Sequence, residues 1–198
     1  MKKPCLRVLT LAVVSLGALA PSQAPSPLRA GTPVTLCLTD ASAAALRAAR
    51  IELAAVAPAT LVSENGHPCV RTALATGRID PDLSGPAPAA GGGFAFHRGQ
   101  QRATFEDLAG AATPDRTLVT SAVHHGRRID VFSSPSAQLK LFLTKVSAAD
   151  IPMNLTRTGA AALAKDFTTS PLPANSTVFT GTADFDVLNQ VADLLSGE

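Results

Sequence analysis

Leu118-Val119-Thr120-Ser121-Ala122-Val123 is followed by His124-His125-Gly126-Arg127 and then by Arg128-Ile129-Asp130-Val131-Phe132. The two flanking runs alternate in character about a short break that contains glycine, which is the pattern of a β-hairpin. A third run, Leu139-Lys140-Leu141-Phe142-Leu143, repeats the alternation. Together they predict an antiparallel sheet with one buried face.

Outward from this hairpin the same grammar recurs. Val34–Leu38 reads as a strand, with Thr39 as N-cap of an Ala-rich helix through Ser42, Ala45, Leu46 and Ala49. Ile51–Val56 reads as a strand stopped by Pro58. Asn65-Gly66 is a turn between a strand near Leu61-Val62 and one from Cys69 to Leu74. Residues 80–93 hold three prolines and four glycines and read as a loop or a weak edge, with Gly91-Gly92-Gly93 as a flexible link. Phe94 and Phe96 face one way, Arg98-Gly99-Gln100 turns, and Ala103 and Phe105 continue. Pro152–Leu155 is a short strand, Gly159–Phe167 a second Ala-rich helix, and Thr177–Val187 a cleanly alternating strand. About ten short strands with turn residues between them predict a mainly β fold, an antiparallel β-sandwich with two or three short helices.

One internal echo stands out. Leu38-Thr39-Asp40-Ala41-Ser42-Ala43-Ala44-Ala45-Leu46 matches Leu155-Thr156-Arg157-Thr158-Gly159-Ala160-Ala161-Ala162-Leu163 at six of nine positions. It reads either as two related strand–helix corners or as coincidence in an Ala-rich chain.

Residues 1–24 read as a secretory signal peptide, with Lys2 and Lys3 before an apolar run too short for a membrane span. Residues 25–33 are a flexible Pro-rich lead-in, 34–186 the β-sandwich domain, and 187–198 a short amphipathic C-terminal helix. Without the leader, Lys+Arg falls from 17 to 14 against 15 Asp+Glu, and the formal charge moves from +2 to −1. With no basic stripe and no Tyr or Trp for base stacking, nucleic acid is not an expected partner. No membrane span is expected after signal cleavage. Cys37 and Cys69 remain as an even pair in an exported chain, which predicts a disulfide. A metal site from Cys37, His67 and Cys69 is the competing reading. Asn154-Leu155-Thr156 and Asn175-Ser176-Thr177 fit the N-glycosylation pattern.

No nucleophile elbow, phosphate loop or zinc-protease motif occurs, so no enzyme is expected. The histidines are His67, His97, His124 and His125. His124 and His125 are neighbours and would face opposite ways in a strand, so they serve one ligand only if the turn twists them together. Each of the four also reads as a solvated turn histidine. His97, His124 and His125 are the candidates for ligating a haem iron or a divalent metal.

Several pieces recur in a familiar order. They are Ala57-Pro58-Ala59-Thr60, Gly92-Gly93-Phe94-Ala95-Phe96, His125-Gly126-Arg127-Arg128, the Leu155–Leu163 run and Phe179-Thr180-Gly181-Thr182-Ala183. In this order the chain resembles the Htaa-type domain of secreted actinobacterial proteins, over roughly residues 34–186. The resemblance implies a secreted or cell-envelope protein that binds a small ligand, haem in some members, with a small molecule or another envelope protein as partner. It also implies a tyrosine as axial haem ligand, and this chain has none. A haem reading therefore needs His97, His124 or His125 in its place, with Phe94 and Phe96 lining the cleft. Haem is the one cofactor that the resemblance implies. The alternatives are a noncatalytic structural or adhesion module binding protein or cell wall, which predicts an exposed apolar patch, and a hydrolase, which predicts a buried Ser-His-Asp cluster.

Overall fold

Two residue types set the layout: β-branched and aromatic residues in period-two runs, and alanine in two short blocks. The computed structural model describes residues 26–28, 32–74, 77–79, 86–113, 115, 117–135, 139–142 and 145–186. The expected signal peptide and C-terminal helix lie outside them. Thirteen strands occur among the described residues: β1 (Ser26–Leu28), β2 (Pro33–Leu38), β3 (Glu52–Val56), β4 (Thr60–Glu64), β5 (His67–Ala73), β6 (Gly77–Ile79), β7 (Pro86–Arg98), β8 (Gln101–Ala112), β9 (Thr117–His124), β10 (Arg127–Pro135), β11 (Leu139–Phe142), β12 (Lys145–Leu155) and β13 (Thr177–Asp186). Helix α1 (Asp40–Ala48) follows β2, and α2 (Arg157–Phe167) follows β12.

The fold is mainly β and antiparallel, as expected. Eleven of the strands form one continuous sheet in the order β3-β7-β8-β9-β10-β12-β13-β2-β5-β4, with β11 on β12. A bridge between Leu74 and Ala90 and a hydrogen bond from the Thr72 hydroxyl to the Gly91 carbonyl tie β5 back to β7. The sheet thereby curls into a near-barrel. A separate pairing of β1 with β6 gives the Pro-rich lead-in, expected to be flexible, a short strand of its own.

The glycine run corrects the sequence reading. Residues 86–93 belong to β7, and Gly92 and Gly93 are buried. A Cβ on Gly93 would lie 1.9 Å from the Phe105 carbonyl oxygen, and one on Gly92, at φ +75°, would lie 2.4 Å from the Val56 oxygen. Glycine is there because neighbouring backbones approach too closely for any side chain.

Inside the curl, Phe94, Phe96, Phe105, Phe132 and Phe179 are each at most 1% exposed. Phe94 is their hub, with ring centroids 5.5, 5.1, 5.8 and 5.3 Å from those of Phe96, Phe105, Phe132 and Phe179. Leu46 from α1 and Leu163 and Phe167 from α2 join the same core.

The Leu-Thr-x-x-x-Ala-Ala-Ala-Leu echo is a structural repeat. Thr39 caps α1 by accepting from the Ser42 N–H at 3.2 Å, and Thr156 caps α2 by accepting from the Gly159 N–H at 2.9 Å. Each threonine also ties its corner to another strand. The Thr39 N–H donates to Val178 O and its hydroxyl to Thr177 O; the Thr156 N–H donates to Val131 O and its hydroxyl to Asp130 O. Cys37 and Cys69 face each other across β2 and β5 and form the expected disulfide. Their sulfurs are therefore not metal ligands.

Candidate functional site

The β9 alternation places Thr120, Ala122 and His124 on the buried side, since side chains two apart share a face. His124 is 7% exposed, and its ring stacks on Phe105 with centroids 4.9 Å apart. Its Nδ1 lies 2.9 Å from the Thr104 carbonyl oxygen. A carbonyl only accepts, so Nδ1 carries a proton, and when the ring is neutral its Nε2 presents a lone pair.

His125 and Gly126 form the two-residue turn between β9 and β10, with φ +49° and +74°. Positive φ at both central residues matches the twist of the flanking strands. The turn also reverses the usual divergence of neighbouring side chains. The His124 and His125 ring centroids are only 4.2 Å apart.

Both imidazoles meet Asp166. His125 Nε2 is 2.9 Å from Asp166 Oδ1, and His124 Nε2 is 3.4 Å from Asp166 Oδ2. The Asp166 side chain is 9% exposed and that of His125 is 58% exposed. Asp166 lies one residue before the end of α2. A carboxylate there opposes the helix dipole, so it needs a cationic or donor partner from elsewhere. Sequence reasoning missed Asp166. The available signal was an acid in the last turn of an otherwise Ala-rich helix.

The other candidates sit elsewhere. His97, at the end of β7, faces Glu52 at 3.7 Å across the β3–β7 ladder. His67 faces Asp40 at 3.6 Å. Both pairs are partly solvated and worth little to stability. Phe94 and Phe96, expected to line a cleft, are 0% and 1% exposed. Their position at the centre of the curl commits them to the core. Asn154, in the first glycosylation-type triplet, accepts from the Thr177 hydroxyl at 2.7 Å.

Both Nε2 atoms face Asp166, the two phenylalanines are sealed in the core, and there is no tyrosine. No helix among the described residues is long and apolar enough to cross a membrane.

No protein-family model matches the chain, and no curated protein matches it. Among solved structures, it is similar to the C-terminal domain of HtaA from Corynebacterium glutamicum, with a TM-score of 0.53 and 12% identity. The match covers 79% of this chain and 98% of that domain. At this identity the likeness speaks to fold, and in fold the chain resembles that HtaA domain.

Proposed function

We propose that this chain is a noncatalytic small-ligand-binding module that works outside the cytoplasm, at the cell envelope or in the medium, and holds its ligand at the tip of the β9–β10 hairpin. The observation that carries it is the convergence of His124 and His125 on the buried Asp166 carboxylate. The cluster offers imidazole and carboxylate ligands and no hydroxyl or thiol, and we read it as a binding site. The HtaA-like fold, the disulfide and the leader-like N-terminus support the compartment.

Haem is the ligand that the sequence resemblance implies. Imidazole is a competent iron ligand, and His125 is the exposed one. The arrangement around it supplies no apolar wall from Phe94 or Phe96. The adhesion alternative has less support. Leu61 is the one large exposed hydrophobic among the described residues, and a single such residue is ordinary surface.

Adding haemin, and separately divalent metal ions, to isotope-labelled protein while recording amide resonances tests the reading. Shifts clustered at His124, His125, Gly126 and Asp166 with either probe support it. A hairpin tip left unmoved by both would sink it.

A further inference from the structure

Three buried side-chain polar atoms among the described residues lack a hydrogen bond: Ser134 Oγ, His124 Nε2 and Asp166 Oδ2. The last two face each other at 3.4 Å. When the His124 ring is neutral, its Nε2 lone pair confronts that carboxylate oxygen across a buried gap. Native structures seldom leave such groups without a partner, because an orphaned buried acceptor is destabilising.

We propose that His124 Nε2, His125 Nε2 and the Asp166 carboxylate bind a first-row divalent cation of the zinc class. This deepens the preceding reading, on which it rests, by naming the ligand as a bare ion. Four observations agree. In a tetrahedral site with metal–nitrogen and metal–oxygen bonds of about 2.0–2.2 Å, neighbouring ligand atoms lie about 3.3–3.5 Å apart; His124 Nε2 and Asp166 Oδ2 are 3.4 Å apart, while the His125 Nε2–Asp166 Oδ1 hydrogen bond at 2.9 Å opens as the ion displaces its proton. One ligand atom from each of the three residues lies within 4.8 Å of the others. The Thr104 carbonyl fixes the His124 tautomer, as the outer partner of a metal-bound imidazole usually does. The charge is right as well, since an anionic carboxylate at a helix C-terminus favours a cation. Two imidazoles and one carboxylate suit zinc over magnesium or calcium, which prefer all-oxygen shells. His125 is 58% exposed, so the fourth position is open to solvent or to a further donor.

The test is Zn2+ titration of chelator-treated, refolding-competent protein by calorimetry, followed by Co2+ substitution and visible spectroscopy. The expected result is one ion per chain, with a Co2+ spectrum of tetrahedral nitrogen–oxygen type. Affinity should fall at least tenfold in His125→Asn and in Asp166→Asn, and stay unchanged in His67→Ala. His125→Asn keeps an Asn-Gly turn, so loss of binding there is not loss of fold; circular dichroism checks this. Absence of Zn2+ binding, or binding that both variants retain, overturns the inference. If Zn2+ fails while haemin gives a Soret shift that His125→Asn abolishes, the cation is overturned and the binding-module reading stands. If neither probe binds, both fall.

Discussion

His125 and Asp166 are 41 positions apart, yet His125 Nε2 lies 2.9 Å from Asp166 Oδ1. The contact links the tip of the central hairpin to the last turn of α2. Because His125 is exposed and His124 is buried, the two should differ in what they do for stability. His125→Asn gives up one partly solvated hydrogen bond but supplies a preferred turn residue, so urea unfolding should move by less than about 1 kcal/mol. His124→Ala removes a ring stacked on Phe105 and orphans the Thr104 carbonyl, and should cost about 2–4 kcal/mol. Equal effects from the two would contradict the burial assigned to them.

The two threonine corners should respond alike. Thr39→Ala and Thr156→Ala each delete an N-cap and a tie to another strand. Each should lower stability by about 1–2 kcal/mol. A cost at only one corner would show that the second echo lacks the paired role described above.

Glycine substitutions should separate sharply. At Gly93 an added Cβ would collide with backbone, while at Gly66 it meets nothing within 4 Å. Gly66→Ala pays only for its positive φ, roughly 1 kcal/mol. Gly93→Ala forces β7 and β8 apart and should cost more than about 4 kcal/mol or prevent folding. A thermal melt of Gly93→Ala like that of the parent would refute the close approach.

The Cys37–Cys69 bridge spans 32 positions, and the loop-entropy account gives about 3–4 kcal/mol for a loop of that size. Urea midpoints with and without reductant measure it. Because the two residues are already opposed in the β2–β5 ladder, the reduced protein should keep its strand content by circular dichroism. Collapse of strand signal on reduction would show that the bridge, rather than the ladder, holds this edge.

Much of this architecture was legible along the chain. The hairpin about Gly126, the Thr39 and Thr156 caps, the Asn65-Gly66 turn and the cysteine pair all depend on neighbours or on residue chemistry, and they stand where local rules put them. The glycine run misled, because three glycines look like slack unless the approaching Phe105 and Val56 backbones are known. Phe94 and Phe96 misled too. Alternation tells which residues share a face, but not whether that face borders a cleft or the packed centre of a curled sheet.

Local periodicity and residue type, then, determined that this protein is antiparallel β with two Ala-rich helices, since strand and helix patterns are written in spacing. Tertiary structure alone decided that the sheet closes from β5 to β7 and that Asp166 meets His124 and His125. Those contacts depend on how α2 packs beside β8 and β10, and no pattern within either segment encodes a meeting between them.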